Sequence, residues 1–176
     1  MPKALIISDS HGLTEELQEV KDRHSQEVDA FIHCGDSELA TDASELEGFH
    51  YAKGNCDFEA DMENEQIVDV KGVRFLVAHG HLLQVKQSLM PIYYRAEEAG
   101  ADVACFGHSH TIGAEKVGDK LIMNPGSSRL PRDRSEPTYA IIEWEDGSKE
   151  LTVTYYHMDG NKLEDLEVQF DLSSRN

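Results

Sequence analysis

Val103-Ala104-Cys105-Phe106-Gly107-His108-Ser109-His110 begins as four apolar residues and ends in two imidazoles two positions apart. The apolar half reads as a short buried strand. An extended chain sends alternate side chains the same way, so His108 and His110 can converge on one object. Four other apolar runs end in the same manner. Ala4 to Ile7 leads into Asp9-Ser10-His11, Asp29 to His33 into Gly35-Asp36, Phe49 to Ala52 into Gly54-Asn55-Cys56-Asp57, and Val73 to Ala78 into His79-Gly80-His81. Strands that each end in chemistry-bearing side chains describe a sheet whose ligand lies outside its carboxyl edge.

Helical patterns separate the first runs, which implies parallel pairing in an α/β fold. Leu13, Leu17 and Val20 recur at helical spacing, with acids after Thr14 where a helix start favours them. Leu39, Ala43 and Leu46 suggest a second helix, and Gln84 to Ala99 a third, closed by Gly100 and kinked or broken at Pro91. Lys71-Gly72 between two apolar runs marks a hairpin, and the acids Asp57, Glu59, Asp61, Glu63 and Glu65 mark a solvated loop. Beyond His110 the pattern turns to alternation punctuated by Gly118-Asp119, Asp146-Gly147 and Asp159-Gly160, the texture of antiparallel strands. The turn-rich Asn124-Pro125-Gly126-Ser127-Ser128-Arg129 is placed to face the same end as the polar clusters.

The 176 residues suit one domain spanning 1–176. With 16 basic against 34 acidic residues the net charge is −18, which repels polyanions, so extended nucleic-acid binding is not expected. An acidic protein that handles phosphate needs positive charge from elsewhere, and bound metal supplies it. Three scattered cysteines, no signal-peptide pattern and no long apolar segment point to a reducing cytoplasm and away from membranes. Cys34 and Cys105 read as small core residues.

The clusters pool carboxylate oxygen from Asp9 and Asp36, amide oxygen from Asn55, and imidazole nitrogen from His11, His79, His108 and His110. Mixed oxygen and nitrogen donors suit an open catalytic site for Mn²⁺, Fe, Co²⁺, Ni²⁺ or Zn²⁺. Seven donors exceed one ion and match two if a carboxylate is shared. Singly, each motif is ordinary: a helix cap, a turn, a loop histidine. Their joint occurrence carries the reading. His24, His50 and His157 belong to no motif and read as surface or half-buried residues. His33 and Asp57 are candidates for supporting the ligands, and Arg129 and Arg132 for meeting a substrate phosphate.

In this order, and each after a strand, Asp9-Ser10-His11, Gly35-Asp36, Gly54-Asn55-Cys56-Asp57, His79-Gly80 and Gly107-His108-Ser109-His110 resemble the calcineurin-like metallophosphoesterases. The later Asn124-Pro125-Gly126-Ser127 adds a likeness to the small bacterial and archaeal phosphodiesterases of that superfamily. The resemblance implies a four-layer α/β/β/α sandwich of two mixed sheets flanked by helices. It implies that Asp9, His11 and His110 hold one divalent metal, that Asn55, His79 and His108 hold the other, and that Asp36 bridges. Two ions, with Mn²⁺ the expected metal, would hydrolyse a small phosphate ester through metal-bound hydroxide. One departure matters: many members carry a histidine where this chain has Cys56, and a thiol is a poor proton donor near neutral pH. The chain should therefore favour esters with good leaving groups or use another acid, for which His81 is the candidate, although a hydrogen bond that supports the ligand His79 explains His81 as well. Alternatives are a scaffold that keeps the fold without turnover, as a retromer subunit of this likeness does, and a phosphomonoesterase. A protein phosphatase is disfavoured because Gly35-Asp36 continues as Ser37-Glu38-Leu39-Ala40. A metallo-β-lactamase-like enzyme is disfavoured because its compact histidine run is absent. Strand edges in the second half would allow pairing between copies.

Overall fold

A computed structural model describes residues 1–174. It contains eleven strands and two α-helices: β1 Lys3–Ile7, α1 Glu15–His24, β2 Ala30–His33, β3 Phe49–Tyr51, β4 Glu65–Val70, β5 Val73–Ala78, α2 Met90–Ala99, β6 Val103–Cys105, β7 Ile112–Val117, β8 Lys120–Pro125, β9 Thr138–Glu143, β10 Glu150–His157 and β11 Lys162–Asp171. The strands form a six-stranded sheet ordered β11-β10-β9-β1-β2-β3 and a five-stranded sheet ordered β4-β5-β6-β8-β7. Both are mixed. β1, β2 and β3 run parallel, as do β5, β6 and β8, while the hairpins β4–β5 and β7–β8 and the β9–β10–β11 meander are antiparallel.

Alternation along each strand explains the layering. Ala4, Ile6 and Ile32 of the first sheet meet Phe75, Val77, Val103, Cys105 and Met123 of the second in a core between the sheets. Leu5 and Ile7 point the other way and pack on Leu17 and Val20 of α1. Leu76, Ala104 and Ile122 likewise cover Ile92 and Ala96 of α2. Burial on both faces is why these strands read as continuous apolar runs. The result is the helix, sheet, sheet, helix arrangement that the family resemblance implies.

Two helix expectations fail. The stretch with Leu39, Ala43 and Leu46 forms only a one-turn 3-10 helix at Ser44–Leu46. Asp57 accepts the backbone N–H groups of Asp36 and Glu38, and both of those residues adopt positive φ, which stops a helix from starting there. The third helix begins at Met90, not Gln84, with Pro91 in its first turn, where a missing N–H costs nothing. Gly100 closes it at φ 66° as expected. His24 is buried, its Nδ1 on Glu27 and its Nε2 on the Tyr139 hydroxyl at 2.7 Å each. Among the described residues no helix is long and apolar enough to cross a membrane.

Trp144 fills the inter-sheet core at 1% exposure, its indole N–H donating to the Lys71 carbonyl and its ring 5.8 Å from Phe75. Trp144→Ala is expected to cost roughly 3–5 kcal/mol in urea unfolding, the range of a buried aromatic deletion. A loss below about 1 kcal/mol would contradict this packing.

Candidate metal centre

The polar segments meet where β1, β2, β3, β5 and β6 end. Backbone bonds stitch them together: Asp9 N to Gly35 O at 3.0 Å, His11 N to Asp36 O at 2.9 Å and Gly107 N to His79 O at 3.0 Å. At the centre lie two carboxylates, Asp9 at 0% and Asp36 at 2% exposure. Three imidazoles face them, each held from behind through Nδ1. His79 Nδ1 donates to the Cys34 carbonyl at 2.8 Å, His110 Nδ1 to the Leu130 carbonyl at 2.8 Å, and His11 Nδ1 lies 2.6 Å from Glu38 Oε1. With Nδ1 fixed, Nε2 turns inward with its lone pair. His79 Nε2 is 3.2 Å from Asp36 Oδ2 and 3.7 Å from Asp9 Oδ1, and His110 Nε2 is 3.2 Å from Asp9 Oδ1. His11 Nε2 lies 3.3 Å from His110 Nε2 and 3.9 Å from Asp36 Oδ2.

This donor set fits a cation. Asp9 Oδ1 and His79 Nε2 are buried and make no hydrogen bond, a cost that a metal ion would remove. Asp9 with His11 and His110, and Asp9 with Asp36 and His79, each offer donor atoms within 4.8 Å of one another. Histidine held through one ring nitrogen so that the other can ligate is the usual support of a metal site.

The charges balance accordingly. Burial pushes the Asp36 carboxyl up, but the His79 ring and the Cys56 N–H outweigh it and hold it at about 2. Burial likewise opposes ionisation of Asp9, and His110, His79 and Ser8 overcome it. His79 is raised because Asp36 and Asp9 outweigh its burial. His108 is pushed down to about 4, first by burial and then by His79, so it stands neutral.

Asp9, His11, Asp36, His108 and His110 all adopt positive φ, between 40° and 69°. Such backbone costs roughly 1 kcal/mol or more per residue and gathers at functional sites. It also corrects the extended reading of His108 and His110. The chain turns at each, so His110 joins His11 on one flank, with ring centroids 5.1 Å apart, and His108 joins His79 on the other at 5.1 Å. His81 lies beside both, 5.4 Å from His79 and 6.1 Å from His108, its Nδ1 buried without a hydrogen bond. Burial, then the charge of His79, lowers its pKa.

Asn55 stands apart from the other predicted ligands. It is exposed, and its amide donates to Cys56 Sγ at 3.7 Å. Cys56 Sγ instead shares a 4.8 Å neighbourhood with His11 and Asp36, and burial followed by Asp36 pushes its thiol up to about 11. Asp57 does not belong to a solvated loop: it is buried and accepts the N–H groups of Asp36, Glu38 and Gly54 at 2.8 Å each. Buried His33 bridges Ser10 Oγ at 2.9 Å and Gly35 N at 3.0 Å. Two supports escaped the sequence reading. Glu38 orients His11, and Ser127 donates to the Asp9 carbonyl at 2.8 Å. Ser127 was nevertheless visible in the turn-rich loop after the last parallel strand. Glycine is required at Gly107, where a Cβ would strike Ser8 Oγ and Asp9 Oδ2, and at Gly54, where it would strike Asp36 Oδ1.

Comparison with known proteins identifies the family. Residues 3–147 match the model of the calcineurin-like phosphoesterase superfamily domain. The probable metallophosphoesterase YsnB of Bacillus subtilis is 53% identical over 168 residues, covering 96% of this chain and 98% of that protein. Phosphodiesterase MJ0936 of Methanocaldococcus jannaschii is 29% identical over 141 residues, 69% of this chain and 81% of its own. A crystal structure of a predicted phosphoesterase from Streptococcus pneumoniae superposes with a TM-score of 0.91 at 33% identity, covering 96% of this chain and 97% of its own. The chain belongs to the calcineurin-like phosphoesterase superfamily.

Because Asp57 organises the turn that presents Asp36, Asp57→Asn is expected to weaken metal binding by about 10–100-fold, the range for a lost supporting hydrogen bond. Calorimetric titration with Mn²⁺ measures it, and an unchanged affinity would remove Asp57 from the site. Gly107→Ala should lower both the melting temperature and metal content, since Ser8 and Asp9 are buried and cannot retreat.

Proposed function

We propose that this member of the superfamily is a phosphodiesterase that binds two divalent cations, Mn²⁺ by preference, and hydrolyses small phosphate diesters as one domain in the cytoplasm. The observation that carries the reading is the convergence of three inward Nε2 atoms on Asp9 and Asp36. In this reading Asp9, His11 and His110 hold one ion, His79, His108 and Asn55 the other, and Asp36 both. Bound there, the cations supply Lewis acidity and an activated water at neutral pH, the positive charge that a chain of net −18 lacks. Leu130, Cys34 and Glu38 keep the three imidazoles aimed, so the donor geometry exists before substrate arrives.

The carboxylate and amide oxygens admit Mn²⁺, the imidazoles suit Fe, Co²⁺, Ni²⁺ or Zn²⁺ as well, and availability decides among them. The name of MJ0936 supports a diester substrate. His81 is the side chain beside His79 and His108 that can hold a proton toward the leaving oxygen, since the Cys56 thiol, pushed up to about 11, releases its proton poorly.

Stripping metal should abolish hydrolysis of bis(4-nitrophenyl) phosphate, and Mn²⁺ should restore it. Asp36→Asn should lose at least about a hundredfold in kcat, as expected when a metal ligand is removed. Full activity in the stripped protein or in Asp36→Asn contradicts the metal-dependent reading, and no hydrolysis by the Mn²⁺-loaded protein leaves the scaffold alternative. A higher kcat/KM on 4-nitrophenyl phosphate than on the diester would favour the monoesterase alternative. His81→Ala should keep its metal and slow phenyl esters more than 4-nitrophenyl esters, and equal slowing of both would exclude His81 as the proton carrier.

A further inference from the structure

Arg129, Arg132 and Arg134 place three guanidinium groups on the short segment that follows β8. Among the described residues none of them forms an ion pair with a carboxylate, whereas Arg74 is held by Asp69 and Arg95 by Glu65. In a chain of 34 acidic and 16 basic residues, a run of unpaired arginines departs from what charge balance alone produces. Arg134 Nε is in addition buried without a hydrogen-bond partner.

The segment is fastened to the metal centre along its length. Ser127 Oγ takes the N–H of Leu130 at 2.7 Å, the Leu130 carbonyl takes His110 Nδ1 at 2.8 Å, and Arg132 N–H donates to the His110 carbonyl at 3.0 Å. Asp133 Oδ2 accepts the Ile112 N–H at 2.9 Å, and Arg129 Nη1 donates to the His11 carbonyl. These bonds position Arg129 and Arg132 on the flank formed by His11 and His110, with Arg134 two residues further along the same segment. The opposite flank, past His79 and His81, opens into a cavity of about 420 Å³ bordered by Glu63, Leu82 and Leu83, which suits an uncharged group.

We propose that the arginine segment is an anion subsite that receives a second phosphoryl group of the substrate, within one nucleotide's span of the phosphate that is hydrolysed. The inference rests on the phosphodiesterase reading and deepens it. The favoured substrate is a diester with one phosphorylated arm lying toward Arg132 and one uncharged arm lying toward Leu82. Guanidinium suits this task because its planar fork bonds two phosphate oxygens at once.

Thymidine 5′-(4-nitrophenyl phosphate) and its 3′-phosphorylated form differ only in the second phosphate and release the same phenolate, so they isolate the subsite. The Mn²⁺-loaded protein should hydrolyse the 3′-phosphorylated ester with a kcat/KM about tenfold higher, through KM, and added salt should shrink the difference. Arg132→Gln, and its double variant with Arg134→Gln, should erase the preference while leaving the 3′-hydroxyl ester unaffected, and Arg132→Lys should retain part of it. Equal kcat/KM for the two esters in the native protein overturns the proposal, as does an equal loss on both in the variants. If neither ester is hydrolysed with any divalent metal, the phosphodiesterase reading falls by itself. Calorimetric binding of thymidine 3′,5′-bisphosphate against thymidine 5′-phosphate then decides the subsite: tighter binding of the bisphosphate, lost in Arg132→Gln, sustains it, and equal affinities overturn it.

Discussion

Two carboxylates out of reach of water, Asp9 and Asp36, are the constraint on which the rest of this structure depends. A buried ionised group is expensive unless it is paired and hydrogen-bonded, and here the pairing comes from the imidazole nitrogens of His79 and His110 beyond the five-stranded sheet, with His11 Nε2 beyond the six-stranded sheet 3.9 Å from Asp36 Oδ2. The cost is met by arrangement. Each histidine is pinned through its outer nitrogen to a carbonyl or to Glu38, and the turns carrying Asp9 and Asp36 are pinned by Ser127 and Asp57. One acceptor, Asp9 Oδ1, and one ring nitrogen, His79 Nε2, are buried without hydrogen-bond partners. A cation there would take the same atoms as ligands.

The fold exists to bring those turns together. Parallel β1, β2 and β3 deliver three polar loops to one edge of the first sheet, and β5 and β6 deliver two more from the second. The inter-sheet core of Ile6, Ile32, Phe75, Val77 and Cys105 sets the spacing between the two groups. Positive φ at five of the seven expected ligands shows that local backbone preference has been overridden by this assembly. Dense backbone bonding from neighbouring loops, such as His11 N to Asp36 O, is what holds the strained turns.

Much of this was legible in the residues. Apolar runs ending in Asp, His or Asn located the strands and the edge where the site forms, because strand burial and strand-end chemistry are both local signals. The mainly antiparallel second half, in which only β8 joins a parallel neighbour, and the cap at Gly100 followed from turn residues alone. Three readings failed for a common reason, which is that distant contacts decided them. Leu39 to Leu46 has helical spacing, but Asp57 captures the preceding N–H groups. His24 seemed incidental until Tyr139, from a strand 115 residues away, buried it. His108 and His110 were expected to point alike from an extended chain, and left-handed turns send them to opposite flanks.

The central claim is that these side chains form a cage for two cations. A crystal of the protein grown with Mn²⁺ and measured at the manganese absorption edge tests it most directly. The account predicts two anomalous peaks on either side of Asp36, one against Asp9, His11 and His110 and one against His79 and His108. Manganese peaks confined to surface carboxylates, with none between Asp9 and Asp36, would contradict it.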